Sequence, residues 1–282
     1  DDFIAQVFLK AHPIGGWNGP NAGTFRVLGL GHVWAHGPEA RERDRWLENV
    51  VQLPEDKLNL GACGRLTYLK TESDGSGVVS VDLSDVYADE KTSGLYEGYG
   101  AKRRPERLVA SGVAGMRSIG VDYSGRAGVP CVLVIVDHIT GGKSKLWMWH
   151  LGGDAAGKPT RAQPDAHLND TKVDAAGTFT VRKPDGATLR ATFVAPTKPS
   201  VVAEARKVTF HNAHSGDINA VLPAVFATGA NPADGTFFVV VTIQRGAPPE
   251  VLVQGTGLDA KVTIGRCVVA FDGEKVVFRE KD

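Results

Sequence analysis

The chain has 282 residues and a mass of 30.0 kDa, enough for one large β-domain or two smaller ones. With 42% hydrophobic and 23% charged residues it is excluded from the disordered class. Lys+Arg and Asp+Glu balance at 32 each, so the whole molecule exerts no long-range pull on a polyanion, which argues against nucleic acid as a partner. No run approaches the roughly 20 apolar residues that span a bilayer, so no membrane partner is expected.

In chain order, Phe3 to Leu9 is a short apolar run with β-branched and aromatic residues and predicts a strand. A Gly/Asn/Pro loop follows from Gly15 to Asn21. It leads into a strand over Thr24 to Leu28, a turn at Gly29 and Gly31, and a second strand over His32 to His36. This places Trp17, Asn18 and Asn21 at a strand mouth, with His36 at the end of the neighbouring strand. Polar groups gathered at such ends are where a β scaffold usually carries function, although a plain polar hairpin over a core Trp34 explains the same residues. Pro38 to Trp46 predicts a short helix or a charged loop, Trp46 to Leu53 a strand ended by Pro54.

Leu66 to Thr71 and Val78 to Leu83 alternate with the two-residue period of half-buried strands, joined by a turn containing Asp74-Gly75. Strands are further predicted at Met116–Val121, Cys131–Asp137, Lys145–Leu151, Thr178–Val181, Thr188–Phe193 and Phe237–Ile243. Four short ones, Val251–Val253, Ala260–Ile264, Val268–Phe271 and Val276–Phe278, close the chain, and His211 to Pro232 reads as a long loop. The expected fold is all-β: a two-sheet antiparallel β-sandwich, with a core over residues 1–165 and a continuation or smaller β-subdomain over 166–282.

Several motifs together resemble the heparinase II/III-like β-domain of polysaccharide lyases. Asn21-Ala22-Gly23-Thr24-Phe25 matches the family's Asp-x-Gly-Ser-Phe, and Trp34-Ala35-His36 matches a strand ending Trp-x-x-Asp. Gly64-Arg65-Leu66-Thr67 and Asp82-Leu83-Ser84-Asp85-Val86-Tyr87 match a later strand pair. The resemblance covers about Gly15 to Leu151 and thins beyond. It departs from the pattern at the two histidines of the family loop, which fall on Trp17 and Gly19.

The family cuts uronate polysaccharides by β-elimination, which needs a base, an acid and neutralisation of the carboxylate. The resemblance implies that a tyrosine would come from a helical toroid, for which this chain has too few helix-period segments. With the loop histidine also replaced, no catalytic residue is assigned. Trp17, Asn18 and Asn21 remain as substrate-binding residues for an acidic polysaccharide or oligosaccharide. A zinc site of some members maps onto Gly19, His36 and Glu48. His36 and Glu48 are acceptable ligand types, but two ligands do not hold a structural zinc, so no cofactor is assigned and a His36–Glu48 hydrogen bond is the preferred reading.

The expected role is thus that of a β-domain that has lost part of its lyase site and serves as a saccharide-binding or scaffold half, with a helical domain or chain as a candidate partner. An active lyase with its toroid on a separate or cleaved chain, and a structural subunit of a larger assembly, are the competing readings. The resemblance implies a secreted or periplasmic protein. No signal peptide is visible, and a start at Asp1 suggests a mature product or a fragment of something longer. Other features carry no chemistry: His211 and His214 lack further ligands, His138 and His150 sit at strand ends, and Cys63, Cys131 and Cys267 have no metal or redox spacing. Local basic groups at Arg41, Arg43 and Arg45, and at Lys102-Arg103-Arg104 with Arg107, would be needed to attract an acidic partner.

Overall fold

The structure is a computed structural model and describes residues 2–9, 22–36, 48–56, 64–88, 110–152, 170–212 and 216–281. The helix expected at Pro38 to Trp46 and both basic groups fall outside these residues, as do Cys63 and His214.

All described regular elements are strands apart from two short 3-10 turns, at Ser84–Tyr87 and Gly257–Asp259. In chain order the strands begin with β1 (Phe3–Val7), β2 (Phe25–Gly29), β3 (His32–Ala35) and β4 (Val51–Gln52). There follow β5 (Arg65–Thr71), β6 (Gly77–Asp82), β7 (Ala114–Asp122), β8 (Cys131–Thr140) and β9 (Leu146–His150). Beyond these come β10 (Asp170–Val173), β11 (Phe179–Arg182), β12 (Ala187–Ala195), β13 (Ser200–Asn212), β14 (Gly216–Thr228) and β15 (Thr236–Arg245). The chain closes with β16 (Leu252–Gln254), β17 (Lys261–Ile264), β18 (Cys267–Phe271) and β19 (Val276–Glu280).

An eight-stranded antiparallel sheet, ordered β10-β11-β12-β15-β8-β7-β6-β5, is the spine of the molecule. Strands from after residue 165 therefore hydrogen-bond directly to strands from before it. The spine is buried on both faces at its centre. Cys131, Leu133 and Ile135 of β8 join one apolar cluster, while Val132, Val134 and Val136 join another. On β15, Phe237, Val239 and Val241 take the first side, with Phe238 and Val240 on the second. A strand covered on both faces has no polar side to alternate with, which is why these two segments are uninterrupted apolar runs in the sequence.

The first cluster packs the spine against β1-β2-β3 and β13-β14-β9-β4. Its centre is aromatic. Trp147 lies edge-on to Phe193 at 5.2 Å between ring centroids, and Trp149 edge-on to Phe25 at 5.1 Å. Each such pair contributes about 0.5–1.5 kcal/mol beyond its buried area. The second cluster packs the opposite face against the small sheet β16-β17-β18-β19 through Val262, Ile264, Val269 and Val276.

Two expectations are corrected. Trp46 to Leu53 is not one strand: the pairing is limited to Val51–Gln52, and Glu48 to Val50 forms bends. Here the Val50 N–H donates to Glu48 O at 3.0 Å, and the Asn49 side chain takes the partners a ladder would have used. The region from His211 to Pro232 is not a long loop. β13 and β14 pair in continuous register from Ser200↔Thr228 to Asn212↔Gly216. Pro223 masks this in the sequence, because proline cannot donate to a ladder. It sits beyond the stretch Ala224–Ala227 that pairs with β9, where its carbonyl accepts the Leu151 N–H at 2.9 Å.

Candidate functional site

β1 and β2 pair antiparallel from Phe3↔Gly29 to Val7↔Phe25, so the segment between them is a hairpin connection. Trp17, Asn18 and Asn21 belong to that connection and lie outside the described residues. Its stem is described. The Phe8 N–H donates to Thr24 O at 2.9 Å and the Gly23 N–H to Phe8 O at 2.8 Å. Gly23 has φ +83°, and a Cβ there would meet the Leu83 side chain at 3.0 Å, so this stem position suits glycine on both backbone and packing grounds.

Beneath the stem lies a buried polar network centred on Asn49. Its side-chain amide donates to Phe25 O at 2.8 Å and to His36 O at 3.0 Å. Its Oδ1 accepts the His150 N–H at 2.6 Å, and its own N–H donates to Thr24 Oγ1 at 3.1 Å. One asparagine thereby ties β2, the end of β3 and the end of β9 together. The His36 N–H also donates to His150 O at 2.9 Å.

The second centre is an ion pair. Arg117 on β7 and Asp137 on β8 stand directly opposite in register. The guanidinium meets the carboxylate through two bonds, Nε to Oδ1 at 2.6 Å and Nη2 to Oδ2 at 2.9 Å. The remaining nitrogen, Nη1, donates to Gly23 O at 2.8 Å and to Asn49 O. Both side chains are essentially inaccessible, at 1% and 0% exposure. The planar fork of arginine suits this task, since it satisfies a carboxylate and two carbonyls at once.

Of the metal candidates, Glu48 is buried and precedes Asn49, whose side-chain amide reaches the His36 carbonyl. Burial, and then the nearby Arg26 charge, lower the His36 pKa to about 4. The imidazole is therefore neutral at pH 7. Among the described residues no group of three or more His, Cys, Asp or Glu could hold a metal ion. His150 is buried in the network with Nδ1 3.3 Å from Asn49 Oδ1, while His138 is exposed. Trp34 and Trp147 belong to the core. Asn49, Arg117 and Asp137 escape a sequence reading. The latter two are opposite charges in neighbouring predicted strands, a signal that becomes visible only with the register.

No protein-family model matches the chain, and no curated protein matches it. Solved structures do. Heparan sulfate lyase HepC from Pedobacter heparinus superposes with a TM-score of 0.54 and 14% identity, covering 92% of this chain and 36% of its own. A heparinase III gene product with methylated lysines gives a TM-score of 0.55 and 15% identity, covering 98% of this chain and 38% of its own. The chain thus spans well under half the length of the structures it matches. At this identity the likeness concerns the fold, which runs through almost the whole chain: it has the β-sandwich architecture of a heparinase III-like β-domain.

Proposed function

We propose that the chain is the β-domain of a heparinase II/III-like protein, incomplete as a catalyst by itself and acting as a saccharide-binding or scaffold half. The observation that carries this reading is the likeness over 92–98% of the chain to 36–38% of lyase chains. In such a protein a helical domain would supply the proton-handling tyrosine. The chain's own groups support the same conclusion. At the positions of the family's loop histidines stand Trp17 and Gly19, neither of which accepts a proton near neutral pH. His36 is a poor base with a pKa of about 4, since a useful general base titrates near the operating pH. Asn18 and Asn21 would bind sugar hydroxyls, and the clamped stem at Gly23 would hold their loop in place.

The test is incubation of the purified chain with heparan, chondroitin and alginate, following the ultraviolet absorbance of the unsaturated product. Acid–base groups contribute about 10²–10⁴-fold each, so the absence of two predicts no measurable product. Steady growth of absorbance, abolished by substitution in the loop, would overturn the reading. Growth only after addition of a helical partner chain would favour an active lyase divided between two chains, which the partial span of the relatives also accommodates. A secreted or periplasmic site of action follows from the same reading. No helix among the described residues is long and apolar enough to cross a membrane.

A further inference from the structure

We propose that the cleft between the β5–β6 hairpin and β19 is a second saccharide site, selective for uncharged, hydroxyl-rich chains; this rests on the reading of the protein as a saccharide-binding half. The cleft measures about 580 Å³ and opens where the small C-terminal sheet stops covering the spine. That volume lies within the range of about 300–1,000 Å³ usual for small-ligand sites. Val78, Val121 and Phe278 supply an apolar floor, and the half-buried Tyr68 stands in the wall. An aromatic ring beside a field of mixed donors and acceptors suits a sugar, which offers C–H faces and hydroxyl edges.

The charges decide which sugar. Lys70 pairs with Glu72 at 2.7 Å, Arg126 with Asp122 at 3.3 Å, and Lys275 with Asp272 at 2.7 Å. Among the described residues every cation lining the cleft is committed to a carboxylate, so they give it no surplus positive charge with which to gather a polyanion. Adjacent ammonium and carboxylate groups instead present a donor beside an acceptor, the pattern that vicinal hydroxyls complement. Lys275 Nζ lies 4.9 Å from the Tyr68 ring centroid and would exchange this contact for a sugar face.

Asp122 gives an independent indication. It is 2% exposed; Oδ1 accepts from Arg126 and from the Ser124 N–H, whereas Oδ2 receives no nitrogen or oxygen donor. A buried carboxylate oxygen left in this state at the edge of a cleft is an acceptor suited to a ligand hydroxyl. The cleft is also set apart from the described stem at Gly23. Arg117, under the loop stem, and Asp122, in the cleft, are five residues apart on β7, about 17 Å at ~3.3 Å per residue.

The experiment is calorimetric titration of the intact chain with neutral hexasaccharides of glucose, mannose and xylose, and with hexasaccharides of heparan, chondroitin and alginate. At least one neutral probe is expected to bind, with affinity changed less than about twofold between low and high salt. Tyr68→Ala should weaken it by about tenfold or more, and Tyr68→Trp should retain it. Both variants are to be shown folded by circular dichroism. Trp17→Ala should leave neutral binding intact. The proposal is overturned if no neutral probe binds, if Tyr68→Ala has no effect, or if only uronates bind and salt abolishes the affinity. Uronate binding that survives Tyr68→Ala but not Trp17→Ala would reject the cleft while sustaining the loop as the saccharide site.

Discussion

Replacing Arg117 by methionine keeps much of the side-chain volume and removes the charge. Asp137 then remains fully buried without its partner, and the carbonyls of Gly23 and Asn49 lose a donor. Breaking one side of a buried pair costs about 3–5 kcal/mol, because the surviving charge has neither water nor counter-charge. At about 2 °C per kcal/mol for a domain of this size, the melting midpoint should fall by about 6–10 °C. Arg117→Met/Asp137→Leu should recover most of that loss, since an apolar pair leaves no charge behind. Denaturant unfolding monitored by tryptophan fluorescence suits the measurement, because Trp147 and Trp149 are fully buried. The double-mutant cycle should show coupling above about 2 kcal/mol. A loss below about 1 kcal/mol in the single variant, or a double variant no better than the worse single one, would refute the account of the pair.

Stability should also depend on pH through His36. Its folded pKa of about 4 lies below the ordinary 6.5, so the unfolded chain binds the extra proton first as pH falls. The contribution is fully present above pH 6.5 and is lost between pH 6.5 and 4, by about 3 kcal/mol. His36→Gln should flatten that part of the stability–pH curve, and an unchanged slope in the variant would remove His36 as the cause. Cys131 and Cys267 are both buried, and burial raises both thiols, Cys267 to about 12. Both should resist an aromatic disulfide reagent at pH 8 in the native chain and react on unfolding, which mass spectrometry of the labelled peptides would establish.

The sequence by itself determined the all-β class and most strand positions, because period-two alternation and Asp-Gly turns are local signals. The hairpin β5–β6 and the last hairpin β18–β19 lie where those signals place them. The doubly buried β8 and β15 were legible as apolar runs without a polar face. The motif residues of the first half were likewise enough to suggest the fold shared with the heparinase III structures. The β13–β14 hairpin was not legible, because Pro223 and the polar segment near His211 mimic a loop, and only pairing along both strands overrides that local preference. Nor was the polar network. Asn49 bonds to Phe25, His36 and His150 across sequence separations of 24, 13 and 101 residues, and Arg117 reaches Gly23 across 94. Whether a polar residue faces water or holds a core together depends on which strands lie opposite, and tertiary packing alone sets that. The same holds for the cleft beside Tyr68: its walls come from β5, β7 and β19, and they meet only once the small sheet has docked on the spine.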